Sequence, residues 1–173
     1  MAPFSKRVCL IGPECTGKTT LAERLADHFG APWVAEYARE YALTVGRLLT
    51  TGHVEPIARG QMALEDAAPA TGNLLILDTD LISTVVYATH YYGSCPAWIQ
   101  AEAGRRKADL YLLTEVDVPW TSDDVRDSEA SRQTLHRLFA ATLATYGADV
   151  VAIRGDRERR FEAAVAAIAA RFQ

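Results

Sequence analysis

The chain has 173 residues, 49% of them hydrophobic and 23% charged, with a formal net charge of −4. That is about one domain's length with ample apolar content for a packed core, which excludes a disordered segment. Net acidity argues against nucleic acid or an anionic membrane as partner, and three cysteines (Cys9, Cys15, Cys95) are too few for a disulfide framework or a zinc site.

No run of 18 apolar residues is present, so no transmembrane helix is expected. Val8–Ile11 after Lys6 and Arg7 is too short for a signal-peptide core, and the expected location is the cytoplasm. Val8–Ile11 is instead a buried strand ending in glycine. Leu21, Leu25 and Phe29 then mark one face of a helix over 19–29, stopped by Gly30 and Pro32. Trp33–Ala35 is a second strand. Residues 37–50 and 55–68 are expected helices, split near Thr51-Gly52. Leu74–Leu77 is a third strand, 80–92 a helix, and 96–106 a weak element. Leu110–Leu113 is a fourth strand. Asp127 or Ser128 can cap a helix carrying Leu135, Leu138, Phe139, Leu143 and Tyr146 on one side. Val150–Ile153 is a fifth strand, and the last helix aligns Phe161, Val165, Ile168 and Phe172.

Continuous apolar strands interleaved with helices predict a five-stranded parallel sheet covered on both faces, a three-layer α/β sandwich spanning 1–173 as a single domain. Ligands on such sheets lie beyond the carboxyl ends of the strands, so the residues that follow each strand are the candidates.

After the first strand comes Gly12-Pro13-Glu14-Cys15-Thr16-Gly17-Lys18-Thr19, followed by Thr20. It matches the phosphate-binding pattern G-x-x-x-x-G-K-[ST] in its required strand-to-helix context, predicting a P-loop NTPase-type fold that binds ATP. Gly12 and Gly17 allow backbone closeness that a Cβ would block. Successive N–H groups and the helix N-terminus then face phosphate oxygens, Lys18 reaches the β/γ-phosphates and Thr19 offers a hydroxyl to Mg²⁺. Cys15 beside Lys18 is readable as a redox-sensitive thiol or simply as a small loop residue.

The third strand ends in Asp78-Thr79-Asp80. Asp78 suits a Mg²⁺ water shell or a catalytic acid–base role; Asp80 is a site residue or the cap of the next helix. A guanine switch would carry Asp-x-x-Gly here and Asn/Thr-Lys-x-Asp after the fourth strand. The chain has Asp78–Leu81 and Thr114-Glu115-Val116-Asp117 instead, so that class is disfavoured. The polar stretch from Asp117 and the helix start carry Arg126 and Arg132. Both fit a lid at about 117–132 whose arginines meet the triphosphate and exclude water, against ordinary surface arginines. After the second strand, Glu36, Arg39 and Glu40 stand at i, i+3, i+4. They share a helix face, either as an acceptor site in which Glu36 takes a hydroxyl proton, or as a surface ion pair. Tyr37, beside Glu36, is a further candidate, although Tyr37 and Tyr41 also suit core packing.

Gly12–Thr20, Glu36–Tyr41, Asp78–Asp80 and Pro119-Trp120 through Asp123 to Arg126, in this order, resemble the C-terminal ribosylnicotinamide kinase domain of the NadR family of NAD-biosynthesis proteins. The resemblance covers essentially the whole chain, with no room for that family's adenylyltransferase and DNA-binding regions. It implies transfer of the ATP γ-phosphate to the 5′-hydroxyl of nicotinamide riboside, with Lys18, Asp78, Glu36 and Arg126 catalytic. It implies that Gly155, after the fifth strand, passes the adenine. Asp124 stands where the family commonly has glycine, which bears on the local turn. A flat cationic ring asks for aromatic stacking, with Trp33, Trp98, Trp120, Tyr91 and Tyr92 as candidates. The expected partners are a nucleotide and a small riboside. The alternatives are another nucleoside or nucleotide kinase, or an ATP-binding regulatory module. Oligomeric state is not legible.

Overall fold

The computed structural model describes residues 6–46, 48–117 and 129–172. The strands are β1 (Lys6–Ile11), β2 (Trp33–Val34), β3 (Leu74–Asp78), β4 (Leu110–Thr114) and β5 (Val150–Ile153). They form one sheet in the order β2-β3-β1-β4-β5, and every pairing is parallel. The helices are α1 (Lys18–Phe29), α2 (Tyr37–Val45), α3 (Val54–Asp66), α4 (Leu81–Tyr92), α5 (Ala97–Arg105), α6 (Glu129–Thr145) and α7 (Arg157–Phe172). The predicted α/β sandwich is therefore the observed one. Among the described residues no helix is long and apolar enough to cross a membrane.

The two-residue period of the strands sorts their side chains into two cores. Cys9, Ile11, Leu75, Leu77, Tyr111 and Leu113 meet α3, α4, α5 and α6 on one face. Val8, Leu10, Ile76, Leu110 and Leu112 meet α1 and α7 on the other. β1 sits between β3 and β4, so its carboxyl end opens where the sheet changes direction of growth, and the loop from Gly12 emerges there.

Three expectations shift. β1 begins at Lys6, two residues early, because Lys6 and Arg7 still pair with Leu74 and Leu75. β5 is not a buried strand throughout: Val150 is exposed and only Ile153 is buried, since the strand forms the sheet edge. The helix expected over 37–50 stops at Val45, and a separate 3-10 turn at Thr51–His53 leads into α3. There the Thr50 N–H donates to His53 Nδ1 at 2.8 Å. The caps expected at Asp127 or Ser128 lie outside the described residues.

α2 buries no residue fully, so its position is set by few contacts. The Tyr37 ring lies on α3 against Gly60, and the Tyr37 N–H donates to Gln61 Oε1 at 3.0 Å. A Cβ on Gly60 would stand 2.0 Å from Tyr37 Cε1. Gly60→Ala would raise helix propensity by about 1 kcal/mol in isolation. We expect a net loss of about 1–3 kcal/mol instead, because the ring must move; urea unfolding of both proteins measures it.

Candidate active site

The loop from Gly12 to Gly17 is shaped by close packing. Gly12 has φ +143°, and a Cβ there would lie 2.5 Å from Thr114 Oγ1 at the end of β4. Gly17 (φ 81°) precedes α1, and no side chain among the described residues caps that helix. Its first N–H groups are thus left for an anion, at the positive end of the helix dipole. The carbonyls are committed elsewhere. Pro13 O accepts from Lys18 Nζ (2.7 Å) and Thr16 Oγ1 (2.9 Å). Cys15 O accepts from Arg132 Nη2 (3.3 Å). Lys18 is 8% exposed, held across the loop.

Thr19 Oγ1 donates to Asp78 Oδ2 at 2.6 Å, which joins the start of α1 to the end of β3. Asp78 is 1% exposed, and its buried Oδ1 has no hydrogen-bond partner among the described residues. An uncommitted carboxylate oxygen beside a hydroxyl is the hard oxygen set that suits Mg²⁺, which keeps most of its own waters. Among the described residues no cluster of three or more His, Cys, Asp or Glu forms a dedicated metal cage.

Two cavities flank the loop. The larger, about 760 Å³, is lined by Glu14 and Cys15 of the loop, by Glu36 and Arg39 of α2 and its cap, and by Asp80, Tyr87, Tyr91 and Tyr92. The smaller, about 480 Å³, is lined by Thr16, Gly17 and Thr20 from the same loop and helix start, with Asp117, Gly155 and Arg160. The loop is a wall common to both. Cys15 (φ 57°) and Thr79 (φ 69°) carry left-handed backbone at non-glycine positions, and both line the larger cavity. Such conformations cost about 1–3 kcal/mol each and collect at functional sites.

Glu36 caps α2 with extended backbone. Burial pushes its carboxyl above the ordinary value of 4.5; Lys18 and Arg39 pull it down, while Asp78 and Glu14 add to the rise. It is therefore readier to hold a proton than a surface glutamate. Asp80 is both the helix cap and a cavity residue. Its Oδ1 accepts from Ile82 N–H (2.9 Å) and its Oδ2 from the Tyr111 hydroxyl (2.5 Å). Both oxygens are spoken for by protein donors. Burial raises its pKa from 3.8 to about 6, against the lowering effect of Tyr111.

Not every candidate reaches a cavity. Tyr37 packs on Gly60 and pairs with Tyr41 at 5.9 Å, and neither it nor the exposed Glu40 lines the larger cavity. Trp33 packs on the α1–α7 face, and Trp98 lies under the Arg59 guanidinium. Trp120 and Arg126 lie outside the described residues. Arg132 meets the loop through the Cys15 carbonyl, and Gly155 lines the smaller cavity. Three residues escaped the sequence reading. Tyr87 stacks on Tyr91 with centroids 6.1 Å apart and planes at 4°, and their i, i+4 spacing on α4 was the available signal. Gln61, a polar residue on the buried face of α3, lines the larger cavity and donates to Glu65, itself bound by Arg7 and Arg106. Arg160 had no signal at all.

Residues 7–160 match the family described as AAA_28, AAA domain. Over 166 residues the chain is 28% identical to the trifunctional NAD biosynthesis/regulator protein NadR of Salmonella typhimurium, covering 91% of this chain and 40% of that protein. Among solved structures it is similar to a NadR protein in complex with NR, with a TM-score of 0.76 and 30% identity, covering 95% of this chain and 50% of the other. A NadR protein in complex with NAD and AMP-PNP matches with a TM-score of 0.73 and 29% identity, covering 95% of this chain and 49% of the other. The chain thus spans about half the length of these relatives or less.

Asp80 gives a signed prediction. Its folded pKa lies above the unfolded value, so its contribution to stability is full below pH 3.8 and is lost as pH rises through about 6. The shift corresponds to about 3 kcal/mol. Asp80→Asn, isosteric and unable to ionise, should therefore gain stability relative to wild type between pH 4 and pH 7. A stability difference that stays flat over that range, measured by urea unfolding, would contradict the assignment.

Proposed function

The chain belongs to the AAA_28 family of AAA domains, and on that premise we propose that it is an ATP-dependent kinase that phosphorylates the 5′-hydroxyl of nicotinamide riboside to give nicotinamide mononucleotide. The observation that carries this reading is the loop shared by two cavities. A triphosphate lying along Gly12–Thr20, its nucleoside in the smaller cavity, would present its terminal group to the larger one. A hydrolase or a switch needs no second cavity of about 760 Å³ beside Glu36. The matched NadR structures hold NR, or NAD with AMP-PNP, which supports a riboside in one cavity and ATP along the loop.

In this reading the loop N–H groups and Lys18 hold the β- and γ-phosphates. Lys18 leaves the Pro13 carbonyl to do so. Glu36 orients the riboside hydroxyl and accepts its proton as the hydroxyl oxygen bonds to the γ-phosphorus and the bond from that phosphorus to the β–γ bridging oxygen breaks. Thr19 and Asp78 would hold Mg²⁺, which neutralises triphosphate charge when bound. Tyr87 and Tyr91 offer a stacked aromatic wall for a flat cationic ring. Arg126 lies outside the described residues. Because phosphoryl transfer has a loose transition state, positioning and charge outweigh base strength.

Lys18→Ala should lower kcat by about 10³-fold with a melting temperature close to wild type, since one preorganised charge is lost and the fold is not. Glu36→Gln should abolish the acid limb of the kcat–pH profile. In wild type that limb lies above the ordinary glutamate value, because activity is lost as pH falls through a raised pKa. An acceptor panel with coupled ADP detection checks the substrate. Faster turnover of thymidine, cytidine or a nucleoside monophosphate than of nicotinamide riboside would replace this acceptor. Hydrolysis unstimulated by any of them would indicate a regulatory ATP-binding module.

A further inference from the structure

Arg160 stands on α7, on the far side of the loop from the acceptor cavity, and is 5% exposed. Its guanidinium reaches three separate segments. Nη1 donates to Thr16 O (2.9 Å) in the phosphate loop. Nη2 donates to Glu115 O (2.9 Å) and to the Asp117 carboxylate after β4. Nε donates to Gly155 O (2.8 Å) after β5. Asp117 closes the ring by accepting from the Gly155 N–H at 2.6 Å and is held below the usual carboxylate range by that bond and by Arg160, against burial.

The bond to Thr16 has a consequence for the phosphate site. The C=O and N–H of a trans peptide point in opposite directions. With Thr16 O held toward Arg160, the Gly17 N–H is aimed the other way, into the loop. Gly17 is where this peptide can turn over most cheaply. It has φ +81°, and no described residue lies within 4 Å of where a Cβ would stand. The loop's own chain therefore does not fix the N–H direction that anion binding requires. A planar fork with five donors can span these acceptors at once, which a lysine ammonium cannot.

We propose that Arg160 is a positioning residue for ATP: it locks the Thr16–Gly17 peptide with its N–H toward the phosphates and, through Asp117 and Gly155, holds the wall of the nucleoside cavity. The proposal rests on the reading above that the smaller cavity takes the nucleoside of ATP.

The test is calorimetric binding of Mg-ATP and of Mg-tripolyphosphate, with thermal melting, for wild type, Arg160→Lys and Asp117→Ala. Arg160→Lys should weaken both ligands by about tenfold, the loss of one charge-assisted hydrogen bond's worth of preorganisation. In turnover it should raise the ATP KM while leaving the riboside KM within about twofold. Asp117 is partly exposed, and without it Arg160 keeps its three carbonyl acceptors, so this second variant disturbs the fold less than a change of Arg160 itself. Asp117→Ala removes one partner of Arg160 Nη2 and the acceptor of the Gly155 N–H but leaves the Nη1 bond to Thr16 in place, so it should weaken Mg-ATP more than Mg-tripolyphosphate. Variants that melt lower yet bind Mg-ATP as wild type does would reduce Arg160 to a structural brace and overturn the proposal. A wild-type chain that binds Mg-ATP but phosphorylates no riboside would overturn the proposed reaction alone, since the binding readout needs no turnover.

Discussion

A loop that turns its N–H groups inward to meet an anion must send its carbonyls somewhere else. At the phosphate loop four of them have named donors. Ile11 O takes the Thr114 hydroxyl, Pro13 O takes Thr16 and Lys18, Cys15 O takes Arg132, and Thr16 O takes Arg160. These donors come from the loop itself and from β4, α6 and α7. The anion site is thus a property of the whole carboxyl edge of the sheet. A buried carbonyl without a donor would cost about 1–3 kcal/mol and would also free the peptide to rotate.

The same edge explains why two cavities share one wall. β1 lies in the middle of the sheet, with β3 on one side and β4 on the other. Chain leaving β3 runs into α4 and lines the larger cavity through Asp80, Tyr87 and Tyr91, whereas chain leaving β4 and β5 lines the smaller through Asp117 and Gly155. The loop from β1 passes between them. Thr16 Oγ1 meets Thr114 Oγ1 at 2.6 Å, and Thr19 meets Asp78. The loop is pinned to both neighbours, so a group crossing it moves over a rigid boundary.

Acidic groups gather on the larger cavity's side, and their burial sets their behaviour. Asp78 retains an uncommitted oxygen, Asp80 spends both of its own on a helix cap and a tyrosine, and Glu36 is raised by its surroundings. Three carboxylates near the strand ends thereby separate into a metal-suited group, a structural cap and, in the proposed reaction, a proton acceptor. Environment assigns the roles, since the side-chain chemistry is nearly identical.

The sequence by itself determined the layered α/β architecture, because helical apolar patterns are local and the five strands are short, continuous apolar runs. It also determined the phosphate loop, whose residues are contiguous, and the strand-end positions of Glu36 and Asp78. It could not place Tyr37 and Glu40 away from the cavity, because the face that α2 presents depends on the contact of Tyr37 with Gly60 and Gln61 of another helix. Nor could it divide Asp78 from Asp80, since the partners that decide between them, Thr19 and Tyr111, lie 59 and 31 residues away. Arg160 stands 144 residues from the peptide it holds, one arginine in an Arg-Glu-Arg-Arg run. Only folding, which brings the ends of β1, β4 and β5 together, distinguishes it from its neighbours, because hydrogen bonding depends on distance in space and not along the chain.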